Sequence, residues 1–271
     1  MPELPEVETT RRGIAPRLEG ARVDRVVVRD RRLRWPVSAG LEDHLTGAVI
    51  DSVDRRAKYL LLRTARGTLI AHLGMSGSMR FVTPEIAPKK HDHVDIRVDS
   101  GDILRFNDPR RFGCMLWTAE PAEEHPLLAA LGPEPLGSEF DGRYLHASAR
   151  GRRVAIKQHI MNANVVVGVG NIYASESLFR AGIHPKRAAG RVSLARMENL
   201  TSSIRDVLDE SIRFGGTTLR DFYSGEGKPG YFRHELRVYG RTKEPCVKCG
   251  EPVRQVVLGQ RSTFYCVNCQ T

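Results

Sequence analysis

The chain has 271 residues, 41% apolar and 27% charged, and its 42 Lys and Arg against 32 Asp and Glu give a net charge of +10. That length accommodates one large domain or two ordinary ones, and the composition excludes a disordered chain. The charge points to a polyanionic partner through counterion release, with nucleic acid, an anionic membrane surface and a merely basic enzyme all open. No apolar run approaches the ~18 residues of a membrane span, and the acidic first residues are wrong for a secretory signal, so a cytoplasmic protein is expected.

The opening stretch MPELPEVETT reads as a helix start, with Pro5 suited to the first helical position and Glu6 and Glu8 to the positive end of the helix dipole. It has a second reading, because removal of Met1 would expose the secondary amine of Pro2. The first half of the chain is rich in strands: VIDSVDRRAKYLLLRT, TLIAHLGMSGSMRFV, HVDIRVDSGDILRF and FGCMLWT are short β-branched or aromatic runs broken by Gly, Ser and Asp. Val94, Ile96 and Val98 alternate as in a half-buried strand, and Ser100 and Gly101 close a hairpin. Gly132, Pro133 and Pro135 stop any helix and mark a domain boundary, after which the chain turns helical. The longest helix is SLARMENLTSSIRDVLDESIRFGG, with Leu194, Met197, Leu200, Ile204, Val207 and Leu208 on one core-facing stripe, Ser193 as N-cap and Gly215 as the stop. From Lys228 onward short strand-like runs return, and eight basic residues against three acidic ones make this tail about five units positive, as expected of a surface meeting phosphates.

Four of the five cysteines sit in that tail as CVKCGEPVRQVVLGQRSTFYCVNC, two CxxC pairs separated by sixteen residues. Two such knuckles supply four thiolates, Cys246, Cys249, Cys266 and Cys269, to one structural zinc ion that leaves no open position for catalysis. A redox CxxC needs no second copy, and disulfides are disfavoured in the cytosol. Cys114, alone in an apolar strand, reads as a small buried hydrophobe. Arg261 falls near the tip of the hairpin between the knuckles, either solvated or offered to nucleic acid.

Other motifs stay open when taken singly. GVGNIYASESLF is no dinucleotide fingerprint, and Asn171 in it is an N-cap or a phosphate neighbour. In NDPRRFG, Arg110 and Phe112 offer a base-edge donor and an apolar wedge, and Met75 in GMSGS offers a second wedge, although packing alone would account for both. Lys58 is an odd cation within a strand pattern. His91 and His93 have no third metal ligand nearby, which rules out a catalytic metal there. An exposed Pro2 is a ready nucleophile: with a pKa of roughly 7.7 to 8.0, about a tenth of an α-amine is unprotonated near neutral pH, against under about a thousandth of a lysine at 10.4. Attack on a sugar anomeric carbon would give an iminium whose fixed charge eases elimination, and the adjacent Glu3 could move protons at the same carbon.

Together these residues are similar to a known family. MPELPEVET, AKYLL, HLGMSGS, KHDHVD, DPRRFG, GVGNIYASESLF, GGTTLRDF, GKPGYF and the four-cysteine tail resemble, in the same order and over nearly the whole chain, the bacterial formamidopyrimidine-DNA glycosylases, which excise oxidised purines from DNA. The resemblance implies an α+β architecture: an N-terminal β-sandwich over 1–132, a helical domain with a helix-two-turn-helix element over 133–227 and a zinc hairpin over 228–271. It implies a bifunctional glycosylase and abasic-site lyase acting on duplex DNA as a monomer, associated with the bacterial nucleoid, with zinc but no catalytic cofactor. Pro2 corresponds to the Schiff-base nucleophile, Glu3 to the proton donor in base release, Lys58 to the donor in β-elimination and Arg261 to the donor in δ-elimination. Met75, Arg110 and Phe112 match residues that fill the gap left by an extruded nucleotide. His91, Lys157 and Asn171 match DNA-contacting positions, with Arg152 and Arg153 beside them, and GGTTLRDFYSGEGKPGYF matches the segment that closes over the flipped base. Asn162, where an acid is expected, and Gly151, within a basic run, depart from the pattern. Two rivals stay open: the sister glycosylase for oxidised pyrimidines, and a non-catalytic zinc-ribbon protein that only senses damage.

Overall fold

A computed structural model of the chain describes residues 2–216 and 236–271. The expected base-closing segment and the 227/228 domain boundary fall largely or wholly on residues 217–235, outside the described residues. The contacts divide the described chain into two compact units, one of residues 2–129 with 214–216 and one of 130–213 with 236–271.

The first unit is a β-sandwich flanked by a helix. Helix α1 (Leu4–Leu18) begins one residue earlier than expected, so Pro5 is its second residue. Then follow β1 (Val23–Val28), the short helix α2 (Leu41–Leu45), β2 (Ser52–Arg56), β3 (Tyr59–Thr64), β4 (Gly67–His72), β5 (Ser78–Val82), β6 (Asp92–Val98), β7 (Ile103–Asn107) and β8 (Cys114–Thr118). Two antiparallel sheets result, ordered β1-β6-β7-β5 and β2-β3-β4-β8. Their inner faces share one core: Val94, Ile96, Leu104 and Phe106 from the first sheet meet Leu60, Leu62, Leu69 and Met115 from the second, and Val7, Ile14 and Leu18 join from α1. The alternation in β6 is as expected, and Gly101 turns the hairpin at φ 91°. Its other face is not left to solvent, however. Asp95 and Arg105 are 5% and 2% exposed and form a two-pronged ion pair with Nε–Oδ1 and Nη2–Oδ2 both 2.8 Å. Cys114 is fully buried, and burial pushes its thiol up to about 12, so it stays a neutral core group.

The second unit is helical, with α3 (Gly142–Ala149), α4 (Ile156–Ile160), α5 (Asn171–Arg180) and α6 (Leu194–Arg213), followed by a hairpin of β9 (Arg254–Leu258) and β10 (Arg261–Tyr265). The Ser193 carbonyl accepts the Met197 N–H at 2.9 Å at the start of α6, and Gly215 follows its end at φ 75°, a conformation that glycine adopts without strain. Met197, Leu200, Ile204, Val207 and Leu208 are buried, but Leu194 is 39% exposed: it sits in the first turn, ahead of the contact with α3. The Tyr173 and Ser211 hydroxyls, 2.7 Å apart and buried, tie α5 to α6.

Glu8 of α1, in the first unit, is an acid-sensitive group. Burial raises its pKa, but hydrogen bonds from Arg11 and Arg12 and the charges of Arg11 and Arg55 outweigh this and hold it at about 2. A depressed carboxylate stabilises the fold above its unfolded pKa and loses that contribution as pH falls through the folded value. Glu8→Gln is therefore expected to lower Tm at neutral pH, with the difference from wild type closing between about pH 4.5 and 2; thermal melts across that range test it.

Candidate active site and nucleic-acid interface

Pro2 and Glu3 are buried at the head of α1. Glu3 is the N-cap, and its backbone N–H donates to Glu6 Oε2 at 2.7 Å, which closes a capping box. Glu6, only 2% exposed, is a residue that sequence reasoning treated as a dipole partner alone. It fixes the backbone of Glu3, and a Cβ on Gly216 would approach its Oε1 to 3.1 Å.

Lys58 is not a strand residue. It shares with Ala57 the two-residue turn between β2 and β3, whose register ends at the Arg56–Tyr59 pair. Ala57 adopts φ 54°, a left-handed conformation that disfavours a side chain and that a functional turn can retain. Close by, half-buried His72 packs against Tyr59 with ring centroids 4.8 Å apart and the ring planes tilted by 53°. Loss of solvent, aided by the charges of Lys58 and Arg34, lowers its pKa to about 4. The neutral ring accepts the Gly74 N–H at Nδ1, 2.9 Å away, so His72 couples the Lys58 turn to the loop that carries Met75.

That loop and the one carrying Arg110 and Phe112 meet over a single carboxylate. Asp108, fully buried, takes the Arg110 N–H on Oδ1 at 3.2 Å, the Gly113 N–H on Oδ2 at 2.8 Å, and the Ser76 hydroxyl on Oδ1 at 3.4 Å. Its carbonyl accepts from His93 Nε2 at 2.8 Å and its N–H donates to the His91 carbonyl at 3.0 Å. The contact between loops is backbone on backbone: a Cβ on Gly74 would lie 2.5 Å from Gly113 N, which is why glycine stands there. Phe112 is 41% exposed with the Arg110 guanidinium 5.1 Å over its ring, while Met75 and His91 are half-buried. His93, buried at 1%, is thus a structural latch. Asp108 carried no sequence signal beyond its place in NDPRRFG.

In the second unit, Arg152 and Arg153 are exposed after Gly151, whose φ of 72° accounts for a glycine in the basic run. Asn162 accepts the Asn164 N–H at 3.0 Å, so the amide closes a turn where an acid was expected. Asn171 is not an N-cap: Gly170 holds that position and Asn171 is the first helical residue. Its side chain joins a knot centred on Lys157. The Lys157 ammonium donates to Asn171 Oδ1 at 2.6 Å, Thr263 Oγ1 at 2.8 Å and the Ser262 carbonyl at 3.2 Å, and Asn171 Nδ2 donates to the same carbonyl at 3.0 Å. Lys157 is only 1% exposed, and its ammonium joins α4, α5 and β10. Arg261, the first residue of β10, is exposed beside the turn Gly259–Gln260, whose two positive φ angles of 55° and 59° fit a type I′ hairpin.

The hairpin rests on four cysteines whose Sγ atoms lie within 4.8 Å of one another, with Cys249–Cys266 at 3.5 Å and Cys246–Cys269 at 3.9 Å. Disulfides would need about 2.05 Å, whereas a tetrahedron with metal–sulfur bonds of about 2.3 Å spaces its sulfurs about 3.8 Å apart. The donor set and spacing fit zinc. Among the described residues it is the one group able to hold a metal. Phe179, Val238, Val253 and Phe264 pack beside the cysteines, and Glu176, buried, accepts the N–H groups of Arg237, Val238 and Tyr239 at 2.8 to 3.0 Å.

Comparison with known proteins bears on this arrangement directly. Residues 1–115 match the formamidopyrimidine-DNA glycosylase N-terminal domain, 131–223 the H2TH domain of the same enzymes, and 243–271 the zinc finger found in FPG and IleRS. The formamidopyrimidine-DNA glycosylase of Methylococcus capsulatus is 64% identical over 271 residues, covering all of both chains. The chain belongs to the formamidopyrimidine-DNA glycosylase family. The enzyme of that name from Stutzerimonas stutzeri is 60% identical over 270 residues, again covering all of both chains. The Fpg protein of Thermus thermophilus superposes with a TM-score of 0.88 at 37% identity, over 99% of this chain and 98% of its own. A Lactococcus lactis Fpg mutant, solved with DNA containing Fapy-dG, superposes with a TM-score of 0.92 at 32% identity over the whole of both chains. As in the zinc finger of the family, the four cysteines hold one structural zinc ion.

Two tests follow from the second unit. Lys157→Met removes the donor from Asn171 and Thr263 and is expected to cost about 1–3 kcal/mol, with faster amide exchange confined to 261–265 and the α4–α5 junction. Zinc removal by a chelator should release the β9–β10 hairpin cooperatively, read as lost amide protection there while the first unit keeps its melting transition.

Proposed function

We infer that this chain is a DNA base-excision repair enzyme: a glycosylase that removes oxidised purines, 8-oxoguanine and formamidopyrimidines, from duplex DNA and then cleaves the abasic site by β,δ-elimination. It acts in the bacterial cytoplasm, on nucleoid DNA, as a monomer. The observation that carries this reading is the end-to-end likeness to the Lactococcus lactis enzyme in complexes with Fapy-dG-containing DNA and with abasic-site DNA. No helix among the described residues is long and apolar enough to cross a membrane.

In this reading Pro2, freed of Met1, attacks C1′ of the damaged nucleotide as its secondary amine. The glycosidic bond breaks toward the base, and Glu3 supplies the proton that base release requires. Opening of the sugar leaves an iminium between the proline nitrogen and C1′. That nitrogen carries a positive charge it cannot shed by losing a proton, so it withdraws electrons and acidifies C2′. Loss of a C2′ proton expels the 3′ phosphate in β-elimination, with Lys58 as proton donor, and a second elimination expels the 5′ phosphate with Arg261 as donor. The neutral, hydrogen-bonded His72 supports the role of Lys58, since it leaves that ammonium as the turn's proton source.

The glycosidic bond is out of reach inside a duplex, so the nucleotide must leave the stack at a cost of a few kcal/mol. Met75, Arg110 and Phe112 fill the gap, with Arg110 toward the orphaned cytosine; the shared Asp108 anchor supports their acting as one wedge. His91, Arg152, Arg153 and Asn171 contact DNA, and Lys157 acts on it by positioning Asn171 and the hairpin.

Borohydride trapping on 8-oxoguanine opposite cytosine is expected to give a covalent adduct with wild type and much less with Pro2→Gly. Glu3→Gln should lose base release while keeping some cleavage of preformed abasic sites. Absence of any wild-type adduct would leave a damage-binding module, and faster excision of thymine glycol than of 8-oxoguanine would move the chain to the pyrimidine-specific branch.

A further inference from the structure

The outer face of the sheet β1-β6-β7-β5 carries more cations than its own acids can match. In β1 the pairing with β6 jumps from Val23–Val98 to Arg25–Arg97, so Asp24 is an extra residue in a bulge. Bulges re-aim side chains, and this one swings Arg25 outward alongside Val27 and Arg29 while Val23 and Val26 stay in the core. Arg25 consequently faces Arg97 directly across the ladder, a like-charge pair that destabilises a sheet. Both side chains are exposed, and neither has an acceptor among the described residues.

The neighbouring rung supplies no counter-charge. Asp95 is committed to Arg29 at 2.6 Å and to Arg105 through two bonds of 2.8 Å. Above this floor the segment after β5 hangs as an apolar wall of Pro84, Ile86 and Pro88, held by the Arg105 bond to the Ile86 carbonyl at 2.9 Å and by the Lys89 N–H on Asp92 at 2.7 Å. Between wall and floor lies a cleft of about 210 Å³ that contains four arginines and one aspartate. Along β7, its floor at Ile103 is four residues, about 13 Å, from Asn107, where the loop bearing Arg110 and Phe112 begins. It is a separate place on this unit.

We propose that this cleft binds a compact polyanion of the pyrophosphate class, gripped by Arg25 and Arg97. The planar guanidinium forks suit phosphoryl oxygens, and two linked phosphoryl groups set one anionic group against each of Arg25 and Arg97, the two lining arginines that no carboxylate engages, since Arg29 and Arg105 are paired with Asp95 and Asp92. The volume, that of about seven waters, admits such an anion and is too small for a strand of duplex. Binding would also relieve the opposed arginines, which gives the bulge a reason.

The test titrates inorganic pyrophosphate into the full-length zinc-loaded protein by calorimetry, against the double variant Arg25→Gln with Arg97→Gln. Wild type should show a saturable site whose affinity falls at least tenfold in the variant, with Tm raised by pyrophosphate in wild type alone and 8-oxoguanine excision equal in both. The same isotherm in both proteins would overturn the proposal. So would tighter binding of an oligoglutamate peptide than of pyrophosphate at this site, which would make it a seat for an acidic protein segment.

Discussion

A buried carboxylate with both oxygens engaged by donors is what the loops carrying Met75, Arg110 and Phe112 depend on. Asp108 has no solvent to stabilise its charge, so it persists only because backbone N–H groups and a hydroxyl converge on it. Those donors belong to two loops at once, 74–77 and 108–113. One group therefore fixes the positions from which Met75, Arg110 and Phe112 project, and those side chains can stay exposed because the backbone beneath them is held from inside. The left-handed Arg111, at φ 58°, belongs to the same economy of constraint: its guanidinium is tied to Asp30 at 2.7 Å and to the Arg32 carbonyl at 2.8 Å, which keeps the strained turn closed.

The second unit solves the same problem with the opposite charge. Lys157 is a buried cation whose acceptors lie on the helix that starts at Asn171 and on the strand that starts at Arg261. Its ammonium sets where both of those residues stand. Glu176, one turn and a half along the same helix, gathers three successive N–H groups from Arg237 to Tyr239 and so anchors chain that has no regular structure of its own. Desolvation drives its pKa up and those three bonds pull it back, with burial the larger influence. Helix α5 thus joins the zinc hairpin through polar contacts at its start and middle and through Phe179 near its end.

Much of this was legible in the sequence because it rests on local pattern. Period-two alternation marked β6, a 3.6-residue stripe marked α6, and the spacing of two CxxC pairs marked a metal site before any fold was known. What was not legible shares a physical cause: the partner that decides a residue's role lies far along the chain. Lys157 is marked in the sequence only by its match to a DNA-contacting position, and nothing local announces that Ser262 and Thr263, over a hundred residues on, accept from its ammonium. Asn171 reads as a cap until its amide is found committed to Lys157 and Ser262, leaving the cap to Gly170. Asp95 and Arg105 alternate like solvent-facing residues, and only the overhanging segment from Pro84 to Lys89 turns that face into an interior. Leu194 errs the other way, because a stripe predicts which side of a helix is buried and not how far the covering layer extends along it.

The same distinction governs the charge. A net +10 counts every arginine alike, yet the structure sorts them into cations already neutralised and cations still available. Arg105 is saturated by Asp95, Arg55 and Arg11 share Glu8, and Arg180 is held by Glu210 at 2.7 Å. Such groups release no counterions when a polyanion arrives, because a carboxylate already occupies the place of the phosphate. Arg110, Arg152, Arg153, Arg261 and the Arg25–Arg97 pair are among the cations that have no carboxylate partner among the described residues, and it is cations of this kind that are left to answer a polyanion. Net charge is therefore the sum of two populations with opposite duties, one that holds the fold together and one that meets phosphate, and only the geometry of the acids decides to which a given arginine belongs.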